Sequence, residues 1–174
     1  MLPELRPRLD ALERRRDLLL AELGALPPEE LAHRSAPGVW TLAEVAQHLM
    51  LVERGTARIL AARADKPPIP RGRLDPLRRL GMRIILGRIR FKAPMPQILP
   101  EPGMTLPEVR EEWDRVRASL RTTLAHVTAA RLDRPIFKHP LAGVMSVPET
   151  LDFLARHHDH HLRQVARLKR ARGR

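Results

Sequence analysis

The chain has 174 residues, 43% of them hydrophobic, which is enough for one domain with a single sizeable core. It has no cysteine, which excludes disulfides and thiolate metal ligands and fits a cytoplasmic protein. The net charge of +12 is local: residues 71–92 hold eight basic residues against one acidic, residues 163–174 hold six against none, and the rest is nearly neutral.

Leu, Ala, Arg and Glu dominate while aromatics are only 3%, so the composition predicts an all-α fold. The first helix is expected over residues 4–24, where Leu5, Leu9, Leu12, Leu19 and Leu23 form one apolar stripe behind an early Pro3. "GALPPEE" ends it, and "HRSAPGVW" reads as a loop. "TLAE" at 41–44 is a capping box, in which the Thr41 hydroxyl accepts from the Glu44 amide and Glu44 reaches back to the Thr41 amide. It opens a helix over Leu42–Arg63 with Val45, His48, Leu49, Val52 and Ile59 facing inward, stopped by "KPPIP".

Residues 66–104 carry eight prolines and read as a long Pro/Arg-rich crossover between the second and third helices, with a short amphipathic helix near Leu77–Ile89 whose apolar residues help cover the bundle. "TLPE" at 105–108 opens the third helix, to about His126, with Val109, Trp113, Val116, Leu120, Leu124 and Val127 as its core stripe. "TAARLDRPIFKHPLAG" is read as a loop. "SVPE" at 146–149 opens the fourth helix, which runs to about Lys169. Four helices of about 20 residues with one long crossover predict a four-helix bundle, a single domain over 1–174. No apolar run reaches the length of a membrane span, and the N-terminus lacks the apolar core of a signal peptide.

Half of the eight histidines lie in "HHDHH" at 157–161. His157 and His161 are four apart, so both imidazoles share a helix face one turn from each other. His48, inward on the second helix, is the third imidazole that a bundle can bring opposite them. Three neutral imidazoles around one ion leave a coordination position open, as a catalytic metal requires. The donor set suits Zn or Ni first, and also Fe, Mn or Cu. His158 and His160 are assigned to flanking or surface roles, with His160 a candidate to orient a ligand, and His139 is expected to be exposed. Glu44 is the one acid placed near His48 and so the candidate base, although the capping box competes for it. Gln164, one turn beyond His161, is the candidate to orient its ring. Trp40 and Trp113 read as core.

"WTLAEVAQHL" at 40–49, "FKAP" at 91–94, "HPLAG" at 139–143 and "HHDHHLRQV" at 157–165 together resemble the DinB/YfiT-like superfamily over essentially the whole chain. The resemblance implies a four-helix bundle that holds a divalent metal through three histidines, here His48, His157 and His161. It also implies a metal-dependent hydrolase, or a transferase using a low-molecular-weight thiol, acting on an unknown small molecule.

Rival functions remain open at this point. The two basic segments could neutralise phosphates of a nucleic acid, but there is no recognisable DNA-binding motif and few aromatics for base stacking. "LRRLGMRIILGRIR" could lie on an anionic membrane. A non-catalytic stress-related bundle predicts three histidines without a shared centre. A homodimer would cover any apolar face that one bundle leaves open.

Overall fold

The computed structural model describes residues 1–88 and 96–172, without the side chains of 83–88 and of 172. The "FKAP" stretch at 91–94 therefore lies outside the described residues. Four long helices make the bundle: α1 (Arg6–Gly24), α3 (Leu42–Arg63), α5 (Leu106–Ala125) and α7 (Val147–Arg172). Between them lie α2 (Pro28–Ala32), α4 (Asp75–Arg88), a 3-10 turn (Pro96–Ile98), α6 (Ala129–Leu132) and a hairpin of β1 (Phe137–His139) with β2 (Gly143–Met145). A four-helix bundle is thus the architecture, with a minor hairpin whose first strand and turn lie in the stretch read as a loop.

The helix starts follow local chemistry. Of the three expected capping boxes, those at Thr41/Glu44 and at Thr105/Glu108 are formed, each satisfying two backbone amides that a helix N-terminus leaves free. At the third, the Ser146 amide donates to Glu149 Oε2 at 2.8 Å. α1 begins later than expected, after Leu5, and the proline in its first turn is Pro7 rather than Pro3.

Ion pairs reveal the direction in which the helices run. α1 meets α7 through Arg8–Asp152, Arg15–Asp159 and Glu22–Lys169, at sequence separations of 144, 144 and 147 residues. A near-constant separation means the two helices are parallel. α3 also runs parallel to α5: Glu53 at the middle of α3 meets Trp113 and Arg117, and farther along Leu60 and Ala61 line one cavity with Thr123 and Leu124 near the end of α5. Against α5, α1 runs antiparallel, because Arg16 pairs with Asp114 and Glu13 with Arg121. The bundle is therefore two parallel pairs set antiparallel to each other. That topology explains the crossover: a chain leaving the end of α3 must travel the length of the bundle before α5 can start parallel to it.

The core holds the predicted stripes, including all five leucines named on α1 and all of Val109, Trp113, Val116, Leu120 and Leu124 on α5. Two expectations fail. Ile59 is exposed and Leu60 takes the inward place at 1% exposure, since the face of α3 rotates with the true 3.6-residue period over five turns. On α4 only Met82 among its described apolar residues is buried, while Leu77 and Leu80, with Leu74 just before the helix, face solvent at 66%, 51% and 60% instead of covering the bundle.

A charged network crosses the middle of this core. Glu53, at 1% exposure, accepts from Arg117 Nη2 at 2.7 Å and from Trp113 Nε1 at 3.0 Å, and pairs with His158 Nε2 at 2.6 Å. Three donors on one carboxylate offset the desolvation of a buried charge. Arg117, first among the causes after burial itself, holds the Glu53 carboxyl down to about 2. The network ties α3, α5 and α7 to one point.

Candidate metal centre

His48 lies on the second turn of α3, and His157 and His161 lie mid-way along the antiparallel α7. Each ring is oriented by a different device. The Nδ1–H of His48 donates to the Ile98 carbonyl at 2.6 Å, delivered by the 3-10 turn of the crossover. That of His161 donates to Gln164 Oε1 at 2.7 Å. These bonds leave both Nε2 atoms as lone-pair donors. His157 has no hydrogen-bond partner at Nδ1 among the described residues, and its ring stacks on Phe153 with centroids 6.1 Å apart and planes 16° from parallel.

The three rings converge. His157 Nε2 stands 3.4 Å from His48 Nε2 and 3.2 Å from His161 Nε2, and the three donor atoms all fall within 4.8 Å of one another. Nitrogens each about 2.0–2.1 Å from a tetrahedral ion stand about 3.3–3.4 Å apart, so the spacing suits one. Burial, above all, pushes His48 down to about 4 and His161 down to about 2, and nearby imidazoles add to it; His157 is pushed well below its ordinary value for the same reasons. The rings are thus neutral at pH 7. Three lone pairs aimed at one point repel each other, and one proton on His157 can bridge only one of the two close contacts. The donor set therefore fits a cation, and the three residues could hold one.

The indole of Trp40 packs over this group, with its centroid 4.7 Å from His48 and 6.2 Å from His161. Trp40, read as core from the sequence, packs on the core and also walls the histidines. His160 meets His161 edge-on at 5.0 Å. Two histidine assignments are corrected. His158 is fully buried rather than flanking, because position 158 points into the core at Glu53. His139 is half-buried rather than exposed: its ring packs on Phe153 at 4.6 Å and its Nδ1 accepts from the amides of Leu141 and Ala142, which closes the hairpin turn. Burial lowers its pKa to about 4. The "HPLAG" motif is thus a turn device, ending at Gly143, where a φ of 78° and the adjacent Asp75 side chain leave no room for a Cβ.

Glu44 accepts from the Thr41 amide at 2.8 Å through one oxygen and from Arg34 through the other, so both are engaged at the start of α3. Ile98 escaped the sequence reading because it contributes a backbone carbonyl, which no residue type announces. Glu53 and Arg117 did carry a signal, as charges at core-facing positions beside Trp113 and Leu120.

A bundle of two parallel pairs with three inward imidazoles from α3 and α7 defines a class of helical proteins with a three-histidine centre. The chain belongs to the DinB superfamily, whose sequence model matches residues 11–165. It is 25% identical over 148 residues to the uncharacterized protein YuaE of Bacillus subtilis (strain 168), covering 85% of this chain and 88% of that one. Among solved structures it is similar to TT2238, a four-helix bundle protein, at 28% identity and a TM-score of 0.58, covering 92% of this chain and 97% of that one. It also shares the fold of YfiT from Bacillus subtilis at 18% identity and a TM-score of 0.60, covering 99% and 90%. YfiT is described as a probable metal-dependent hydrolase with an unusual four-helix bundle topology.

Proposed function

We propose that His48, His157 and His161 hold one divalent metal ion through Nε2, and that the chain is a metal-dependent hydrolase acting on a small molecule. The observation that supports this most is the meeting of three Nε2 atoms within 4.8 Å, with two of the rings fixed at Nδ1 by Ile98 and Gln164. Zn and Ni suit three imidazoles best, and Fe, Mn and Cu also suit them. When bound, the ion supplies Lewis-acid chemistry: a polarised carbonyl and a lowered pKa for a water or thiol at the open position.

In this reading the chain's own groups prepare that chemistry. Ile98 and Gln164 fix tautomer and ring orientation and raise the basicity of the ligands. Trp40 and Phe153 exclude water from the faces of the rings. Gln164 is a positioning residue, acting through His161. Glu44 anchors the start of α3 and places His48 rather than serving as a base, because both oxygens are engaged. The hydrolytic reading draws on the description of YfiT; transfer to a small thiol is the runner-up that the same centre would serve.

The test is turnover. The metal-loaded protein should hydrolyse members of a panel of small esters and amides, lose that activity to a chelator and regain it with Zn(II) or Ni(II). His157→Ala should be inactive while remaining folded. Hydrolysis that survives both chelation and His157→Ala would overturn the reading.

A further inference from the structure

At the opposite end of the bundle from the histidines, the C-terminal ends of α3 and α5 part around a cavity of about 570 Å³. Leu60, Ala61, Leu124, Val127 and Ile136 line its walls. Leu60 lies twelve residues beyond His48 on the same helix, so the cavity is about 18 Å along α3 from the candidate metal centre. Its volume falls in the range of small-molecule sites, and its mostly apolar lining is typical of them.

The frame is tied on two sides. The Ile69 amide donates to the Pro135 carbonyl at 2.7 Å, and Arg131 donates to the Ala64 carbonyl at the end of α3. These bonds tie the segment after α5 to the crossover and to the end of α3 beside the cavity.

The rim is positive. Arg131 is paired with Asp65, the one acid lining the cavity among the described residues. Lys66 and Arg134 also line it, and among the described residues neither side chain has an ion pair or hydrogen bond. An apolar chamber with two uncompensated cations at its mouth matches one ligand chemistry: an aliphatic tail ending in a carboxylate.

We propose that this cavity is a second binding site, separate from the metal centre, for a small organic carboxylate. The tail lies against Ala61, Val127 and Ile136, and the carboxylate meets Lys66 and Arg134. The proposal stands whether or not the histidines bind a metal.

Calorimetric titration of the full chain with octanoate tests it, with 1-octanol as the neutral counterpart. Octanoate should bind saturably at one site per chain, and octanol more weakly. Ala61→Trp, at an exposed position on the cavity wall, should abolish binding, with folding checked by circular dichroism. The double variant Lys66→Glu/Arg134→Glu should weaken octanoate about tenfold and leave octanol unchanged. His48→Ala should bind octanoate like the wild type. No saturable binding, unchanged binding by Ala61→Trp, equal binding of octanol, or loss of binding in His48→Ala would each overturn the proposal.

Discussion

Gln164 and Ile98 do the same task by different means: each accepts a hydrogen bond from an imidazole Nδ1–H, so that Nε2 faces the shared point. Removing such a partner weakens metal affinity by about 10–100-fold without removing a ligand. Gln164→Ala should therefore lose metal affinity within that range, read by competition with a chromophoric chelator, while its metal-free unfolding midpoint stays near that of the wild type. Unchanged affinity would remove Gln164 from the centre. The sequence disclosed the three histidines because spacing carries them: i and i+4 on one helix, and an inward position on another. It misplaced His158 because neighbouring positions 157 and 158 fit the same stripe equally well. What separates them is Glu53, a partner 105 residues away in the chain.

At the scale of elements, the long helices were legible because their determinants are local. The Thr41 and Thr105 boxes and the proline stops fixed α3 to its observed ends and α5 to within a residue. The hairpin was not legible, since three-residue strands carry too little periodicity to be seen and depend on a side chain, His139, that bonds two amides only after the turn has formed. The same dependence on distant partners governs the Glu53 network. Truncating Arg117 leaves the Glu53 carboxylate with His158 and Trp113 in a site where neither residue is more than 2% exposed. Breaking a buried pair this way costs about 3–5 kcal/mol. Arg117→Ala should lose that much in urea unfolding, and a loss under about 1 kcal/mol would show the network to be structurally idle.

The whole molecule is organised by the parallel pairing of α1 with α7 and of α3 with α5. Crossover length implied that two consecutive helices are not simple antiparallel neighbours, but only the contacts between helices show which ones run together. The same architecture buries neutral imidazoles both at the His48 and His161 site and at the hairpin. His48 and His139 are held near 4 and His161 near 2, below the 6.5 of an unfolded chain. In metal-free protein the unfolded chain therefore takes up protons that the fold refuses once the pH drops through about 6.5. Stability is complete above that pH and falls below it, by up to about 1.4 kcal/mol per pH unit for each such histidine. Glu53, held near 2 against 4.5, adds its own loss only below about pH 4.5. Chelator-treated protein should thus unfold at clearly lower urea at pH 5 than at pH 7.5; equal midpoints would contradict the burial of neutral rings.

Elemental analysis of protein purified without an affinity tag bears most directly on the three-histidine centre. Wild-type chain should carry about one divalent ion per molecule, and His161→Ala, which removes one of the three proposed ligands, should carry almost none while keeping its helical spectrum. A wild type without metal after incubation with Zn(II) and Ni(II), or a His161→Ala variant with wild-type metal content, would contradict the account.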